Sequence, residues 1–274
     1  MTQKNQTVTD NPWQALRSLT DARIALGRAG VSLPTAPLLD FQLAHARARD
    51  AVHIPLDGEA LAQALARALP HWHRPACLQL HSAADNRQIY LQRPDLGRRL
   101  SSASRDLLLQ RAVQPCDLAV VIADGLSAPA IEQNALPFLQ ALARRLAPEN
   151  WTLAPLAVVR QARVAIGDEI GQLLGARAVL VLIGERPGLS SPNSMGLYLS
   201  WGPQIGLLDA QRNCISNVRP GGLDHELAAG KMHTLLSRSR LLGLTGVGLK
   251  DETTDVLPEG SVGRSFLLDF DPER

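Results

Sequence analysis

Continuous runs of apolar residues mark three short segments in the second half of the chain. They are 117-DLAVVIADG-125, 153-LAPLAVVR-160 and 178-AVLVLI-183, and each leads into glycine or a charged residue. Stretches with helical spacing of apolar positions separate them, at about 127–146 and 164–174. Strands that are apolar on both faces and alternate with helices are typical of a mostly parallel sheet. The pattern predicts an α/β fold, with a Rossmann-like, mostly parallel sheet and helices on both faces.

The first hundred residues have a different, mainly helical pattern. Apolar residues recur at helical spacing from Pro12 to about Leu26, from near Thr35 onwards, and over 58–69. The segment 78–95 is less regular and could include a short hairpin, and 101–113 predicts a further helix. A helical N-terminal domain is therefore expected to precede the sheet.

The end of the chain adds elements beyond the three core strands. Further strands are expected at 196–203 and at 205–209, and a long closing helix at 223–242. The apolar segment 265–270 could dock on the core. The predicted organisation is a flexible N-terminus at 1–10, a mainly helical domain at 11–114, a Rossmann-like domain at 115–249 and a tail at 250–274.

Composition narrows the class of protein. The chain has 274 residues, a formal charge of +2 and 20% charged residues, which favours a soluble globular protein without a nucleic-acid surface. Its three cysteines are far apart, so neither a disulfide framework nor a metal site is predicted. No run approaches the roughly 18 apolar residues of a membrane span, and a reducing, intracellular setting is expected.

Ligands of open α/β sheets bind outside the carboxyl ends of the strands. This rule selects the loops 123-ADGLS-127, 160-RQARV-164 and 184-GERPGL-189. Glycine allows a flat ligand to approach closely, Glu185 can accept hydrogen bonds, and Arg186 can donate two parallel hydrogen bonds to a carboxylate or phosphate. The three loops therefore predict a binding crevice.

Structural roles compete with this interpretation. Glu185 and Arg186 could form a solvated turn, Asp124 and Ser127 could cap a helix, and Cys214 could be a buried packing residue. The chain has no complete GxGxxG after a strand, no P-loop and no GxSxG elbow. The motifs alone predict only a ligand-binding α/β protein.

Six phrases carry a resemblance to a known family. They are 22-ARIALGRAG-30, 93-RPDLGRRL-100, 120-VVIADGLSAPAI-131, 159-VRQARVAIGDEIG-171, 181-VLIGERPGLSSP-192 and 213-NCISNVRPGG-222. Together they span most of the chain, in order. The chain resembles the small subunit of ethanolamine ammonia-lyase.

The resemblance implies an adenosylcobalamin-dependent lyase that converts ethanolamine to acetaldehyde and ammonia. Homolysis of the cobalt–carbon bond supplies an adenosyl radical, and the protein contributes position and exclusion of water. The small subunit is expected to close over a cofactor held against a large subunit that carries a TIM barrel and the substrate residues. No catalytic residue and no metal ligand is therefore expected here, and the family assembles as hexamers of heterodimers.

The family's small-subunit cofactor contacts fall on Val164, Glu185 and Cys214. Val164 would otherwise be an ordinary apolar residue at a helix start, which spacing alone does not nominate. The histidine-ligand pattern DxHxxG is absent, because 224-DHELAAG-230 has the wrong spacing. The resemblance thus implies that cobalamin keeps its own base on cobalt.

Location and rival functions remain open at this level. Enteric family members carry a longer N-terminal extension that directs the enzyme into a bacterial microcompartment. The family pattern here begins within about 20 residues of Met1, so the expected location is either a microcompartment, by resemblance, or the cytoplasm. A stand-alone α/β enzyme could use Asp124 and Ser127 with a phosphate or nucleotide ligand. A non-catalytic corrinoid-binding adaptor is the third reading.

Overall fold

A six-stranded sheet organises the chain in the computed structural model, which describes residues 8–69, 72, 77–111 and 113–250. The strand order is β1-β3-β2-β4-β5-β6. The first four strands in this order are parallel to one another, whereas β5 is antiparallel to β4 and β6 is antiparallel to β5. The strands are Leu78–His81 (β1), Cys116–Ala123 (β2), Ala157–Arg160 (β3), Ala176–Gly184 (β4), Met195–Trp201 (β5) and Arg212–Val218 (β6). The predicted mixed α/β fold with a mostly parallel sheet is confirmed.

Seven α-helices accompany these strands in the described ranges. They are Thr35–His53 (α1), Gly58–Ala68 (α2), Arg87–Gln92 (α3), Ser102–Leu109 (α4), Ala128–Leu146 (α5), Ile166–Leu173 (α6) and His225–Leu242 (α7). The predicted helices at 58–69, 127–146, 164–174 and 223–242 are confirmed to within a few residues, which is the usual uncertainty of a helix end.

Alternating residues of β2 build two cores, one on each face of the sheet. Leu118, Val120 and Ile122 pack in one cluster with residues of α2, α5 and α7. Ala119 and Val121 point the other way, into a second cluster with residues of α4 and α6. Because successive side chains of a strand point to opposite faces, this central strand needs apolar residues throughout.

The order of the central strands creates a crevice. From β2 the chain passes through α5 to β3 on one side, and then through α6 to β4 on the other side of β2. The chain therefore leaves β2 towards β3 and leaves the adjacent strand β4 towards β5, in opposite directions along the sheet. Ligands of open α/β sheets bind at such switch points.

Two N-terminal predictions are wrong in detail. The segment 78–95 is not a hairpin: it contains β1, which pairs in parallel with β3, and the short helix α3. The first helix is a 3₁₀-helix at Pro12–Leu19 and does not reach Leu26, since Ala25 has a φ of 51°. The predicted boundary between 11–114 and 115–249 remains a prediction, and β1 lies on its N-terminal side.

Two C-terminal differences concern strands. The predicted strand at 205–209 is wrong, because Gly206 has a φ of 102° and the segment leads into a 3₁₀-turn at Asp209–Gln211. β6 was not predicted. The segment 265–270 lies outside the described residues. Within the described ranges, no helix combines the length and apolarity that crossing a membrane requires.

Candidate functional site

A cleft of about 440 Å³ lies at the carboxyl ends of β2 and β4, at the switch point. The loops after β2, β3 and β4 all contribute to it, as the sequence predicted. Its lining consists of Tyr90, Gly125, Leu126, Arg163, Val164, Ile183, Gly184, Glu185, Arg186 and Tyr198. Two of the three predicted cofactor contacts, Val164 and Glu185, therefore line one cleft.

Two glycines allow the backbones of β2 and β4 to meet at the floor of this cleft. A Cβ atom on Gly184 would lie 2.1 Å from the carbonyl oxygen of Ser127. Gly125 has a φ of +56°, and a Cβ atom there would lie 2.2 Å from the carbonyl oxygen of Gly184. A side chain at either position would collide with backbone, so the floor is fixed by glycine.

Asp124 braces the loop that follows β3. Its buried carboxylate accepts hydrogen bonds from the backbone N–H groups of Gln161, at 2.9 Å, and Ala162, at 3.1 Å. Gln161 has a φ of 56°, a left-handed conformation that non-glycine residues seldom adopt. The carboxylate thus holds a strained turn in place three residues before Val164, and the predicted cap role of Asp124 is wrong.

Ser127 is the helix cap that the sequence predicted. Its Oγ accepts from the backbone N–H of Ala130, at 3.2 Å, and donates to the carbonyl oxygen of Pro192, at 2.8 Å. The side chain is buried. Both Asp124 and Ser127 therefore have structural partners, which removes the motivation for a stand-alone phosphate site built on them.

Glu185 is held from both sides at the start of the loop after β4. The Ser194 hydroxyl donates to its Oε2, and the backbone N–H of Asn217 lies 3.4 and 3.3 Å from its two oxygens. Gly196 leaves room for this side chain, since a Cβ atom there would lie 3.0 Å from Oε1. The carboxylate is half-buried and oriented, yet keeps accepting capacity towards the cleft.

Cys214, the third predicted contact, lies beside the cleft. It pairs across the antiparallel strands β5 and β6 with Tyr198, which lines the cleft. Desolvation raises the pKa of both side chains, and the nearby Glu185 carboxylate raises them further. Cys214 is exposed, contrary to the packing alternative. Its thiol is held as a neutral group at neutral pH.

The buried side chain of Tyr90 supports the wall of the cleft formed by the loop after β3. The Tyr90 hydroxyl donates to the carbonyl oxygen of Ala162 at 2.9 Å, and burial raises the pKa of this phenol. Its ring lies between two guanidinium groups, with the carbon of Arg87 at 4.7 Å and that of Arg163 at 4.3 Å from its centroid. Such cation–π contacts orient both arginines.

A buried ion pair joins α6, which begins two residues after Val164, to β6, which contains Cys214. Asp168, in the first turn of α6, forms a two-pronged contact with Arg212, the first residue of β6, at 2.6 and 2.7 Å. Both side chains are almost fully buried. Arg212 also donates to the Ser200 hydroxyl and the Leu207 carbonyl oxygen, at 3.0 and 2.9 Å.

Some features of the site escaped the sequence analysis. Tyr90, Arg163 and Tyr198 were not nominated, although Arg163 stands beside Val164 and could have been found from its place in the crevice loop. Arg186 is exposed, and no hydrogen bond or ion pair engages it within the described ranges. No group of His, Cys, Asp and Glu able to hold a metal ion occurs in the part of the chain that the structure describes.

Comparison with known proteins decides which family carries this cleft. The sequence model of the family described as ethanolamine ammonia-lyase light chain (EutC) matches residues 10–250. The chain belongs to this family.

Three such relatives are named "Ethanolamine ammonia-lyase small subunit". The protein from Ralstonia nicotianae is 54% identical over 266 residues, covering 96% of each chain. The protein from Pseudomonas aeruginosa strain UCBPP-PA14 is 52% identical over 264 residues, covering 94% of this chain and 95% of its own. The protein from Pseudomonas putida strain W619 is 55% identical over 246 residues, covering 89% of each. The likeness extends over nearly the full chain, including every loop of the cleft.

Proposed function

We propose that this chain is the small subunit of an adenosylcobalamin-dependent ethanolamine ammonia-lyase, and that its switch-point cleft forms one wall of the cofactor site. The enzyme converts ethanolamine to acetaldehyde and ammonia, and the large subunit supplies the opposite wall and the substrate residues. The observation that carries the proposal is the convergence of Val164 and Glu185 on one cleft, in a chain of this family.

The donors and acceptors at the cleft suit a corrin ring. Corrin is flat and is edged with amide side chains, which need hydrogen-bond acceptors and donors at fixed places. Glu185 supplies an oriented acceptor, and the close backbone contact at Gly125 and Gly184 fixes the floor of the cleft. When bound, adenosylcobalamin supplies a carbon radical for hydrogen abstraction.

This chain's residues position that cofactor and keep water away from it. Glu185 would accept hydrogen bonds from corrin amide N–H groups, and the side chain of Val164 would give the cofactor an apolar contact. Cys214 and Tyr198 present neutral groups beside them, which add no charge near a radical. The residues 115–249 would then act as a Rossmann-like cobalamin-binding domain.

Cofactor titration tests the proposal. Adenosylcobalamin binding is measured by absorbance for the purified chain, for the large subunit, and for their mixture. We expect tight binding by the mixture and much weaker binding by either subunit alone, because each supplies one wall. Equal affinity of the large subunit with and without this chain would contradict the proposal.

Replacing Glu185 by alanine is expected to weaken adenosylcobalamin binding by the assembled enzyme roughly tenfold to a hundredfold, the range for losing a hydrogen bond to a charged group. The free energy of unfolding should change little, because the carboxylate is half-exposed. Glu59→Ala, an exposed carboxylate on α2 outside this cleft, is the control. A folded Glu185→Ala enzyme with unchanged affinity would remove Glu185 from the site.

The N-terminal region supports a role in contacting the large subunit. Several large apolar side chains there are exposed, including Trp13 at 67%, Leu39 at 57% and Leu43 at 51%. Leu39 and Leu43 are four residues apart on α1 and share one helix face. An apolar surface of this kind marks an interaction site, and closed assemblies of heterodimers, such as the family's hexamers, follow from repeated contacts of one type.

The double substitution Leu39→Ser and Leu43→Ser is expected to lower co-purification with the large subunit at least tenfold, since it removes apolar contact area without disturbing a core. The circular dichroism spectrum and thermal midpoint of the chain should stay unchanged. The control is Leu241→Ser on α7, where the side chain is 84% exposed. Assembly of the double variant at wild-type affinity would place the contact elsewhere.

A further inference from the structure

Arg163 is a cation whose charge the described protein leaves unbalanced. Of the two guanidinium groups over the Tyr90 ring, Arg87 has protein acceptors for two of its nitrogens: Nε donates to the Val52 carbonyl oxygen at 2.6 Å and Nη1 to the Gly125 carbonyl oxygen at 2.8 Å, while Nη2 is buried without a partner. It also lies 3.6 Å from the Asp124 carboxylate. Arg163 forms no ion pair within the described ranges, and its Nε is buried without a hydrogen-bond partner.

The single buried carboxylate of this cluster is already committed. Asp124 accepts from Gln161 and Ala162 as well as facing Arg87. A second carboxylate, Asp209, lies further along the wall, but it pairs with Arg212 at 3.4 Å and is exposed. The buried carboxylate of Asp124 thus faces Arg87, and within the described ranges no carboxylate pairs with Arg163. A cation without a partner in a partly buried wall favours an anionic ligand.

The position of Arg163 is fixed towards the cleft. Its backbone N–H donates to the Gly97 carbonyl oxygen at 2.7 Å, and a Cβ atom on Gly97 would lie 2.9 Å from the arginine Cγ. The arginine stem therefore passes directly over a glycine. Its planar head stacks on Tyr90, which limits its rotation. The group is pre-organised for a ligand that enters from the cleft.

Arg163 also lies where two clefts meet. A second cleft, of about 340 Å³, adjoins the first and shares Arg163, Val164 and Tyr198 with it. Arg98 and Leu208 lie further along this second cleft. A ligand larger than the first cleft would extend past Arg163 into the second.

We propose that the Arg163 guanidinium binds the phosphodiester of the cofactor's nucleotide tail as the tail passes from the first cleft into the second. This inference rests on the proposed function, since it assumes that cobalamin occupies the first cleft. Cobalamin carries many neutral amides but one anionic group, the phosphodiester, and a planar guanidinium binds phosphate oxygens through paired N–H donors. Arg163 is thus a further cofactor-binding residue beside Val164.

Cobinamide provides the test, because it retains the corrin ring and its amides but lacks the nucleotide tail and its phosphate. The dissociation constants of adenosylcobalamin and adenosylcobinamide are measured for the assembled enzyme by competition, with wild-type chain, Arg163→Gln and Arg163→Lys. Arg163→Gln is expected to weaken cobalamin binding roughly tenfold to a hundredfold and to change cobinamide binding less than about threefold. Arg163→Lys keeps the positive charge but loses the paired N–H donors, so a loss of cobalamin affinity between that of the wild type and that of Arg163→Gln is expected.

Arg99→Gln, a neighbouring exposed arginine that lines neither cleft, should leave both affinities unchanged. Equal weakening of both ligands by Arg163→Gln would overturn the inference, because the residue would then only shape the wall. Unchanged cobalamin affinity would also overturn it. Failure of the wild-type assembly to bind either corrinoid would instead contradict the proposed function, so the two failures are distinguishable.

Discussion

Replacing Asp168 by alanine is expected to destabilise the full chain by about 3–5 kcal/mol, the usual cost of leaving one partner of a buried ion pair without the other. The Arg212 guanidinium would stay buried with only its bonds to Ser200 and Leu207. Chemical denaturation in urea measures the loss, as a lower midpoint with an unchanged slope. Cofactor affinity should fall as well, because the pair ties α6 to β6.

A second carboxylate beside Arg212, that of Asp209, provides a matched control. Asp209 approaches the same guanidinium, at 3.4 Å from Nε, but its side chain is 93% exposed. Asp209→Ala should therefore cost at most about 1 kcal/mol, as for other solvent-exposed pairs. The double variant Asp168→Ala with Arg212→Met removes both buried charges and should recover part of the stability. Equal effects of Asp168→Ala and Asp209→Ala would contradict this account of the pair.

Gly184→Ala is expected to destabilise the chain by about 3 kcal/mol or more, because the added methyl group has no direction in which to relax. It would lie 2.1 Å from the Ser127 carbonyl oxygen and 2.5 Å from that of Asp124, and both atoms are backbone. The displacement would also break the hydrogen bond from the Leu126 N–H to the Gly184 carbonyl oxygen. Thermal unfolding gives the stability, and cobalamin titration gives the damage to the cleft floor.

A glycine in the same loop is the control. A Cβ atom on Gly188 would meet only the side chain of Ser191, at 2.7 Å, which can rotate away. Gly188→Ala should therefore be nearly neutral in both measurements. A Gly184→Ala chain as stable as the Gly188→Ala chain would refute the steric account of the floor.

The crevice was predictable from the sequence because it depends on local patterns. The apolar runs that become β2 and β4 are unbroken, and the loops after them contain the glycines that the floor requires. The placement of Glu185 followed from the end of its strand alone. Its meeting with Val164 needed only the rule for carboxyl ends of parallel strands.

The edge strands were not predictable in the same way. In β6 only every third residue is buried, and the strand contains two asparagines and a serine, so the period-two pattern of a strand is missing. β1 has four residues and pairs with β3 almost eighty positions later, and such pairing leaves no local signal. Aspartate is a residue type that helix N-caps prefer, so the sequence favours that role for Asp124. Only the tertiary structure shows that its carboxylate accepts a hydrogen bond from the Gln161 backbone N–H instead.

The proposed cofactor contacts of Val164 and Cys214 could not be predicted from hydrophobic pattern or spacing. A valine at a helix start and an isolated cysteine each fit an ordinary structural role, so resemblance to the family had to nominate them. Arg163 shows the reverse case: its motif phrase was recognised, but its unpaired charge becomes visible only once Asp124 is seen to face Arg87.

The central claim is that this chain completes an ethanolamine ammonia-lyase. The most direct measurement is acetaldehyde formation from ethanolamine by a purified large subunit with adenosylcobalamin, with and without this chain. The account predicts ethanolamine-dependent acetaldehyde only when the chain is added, with saturation at equal subunit ratio. Full activity of the large subunit alone, with no gain on adding the chain, would contradict it.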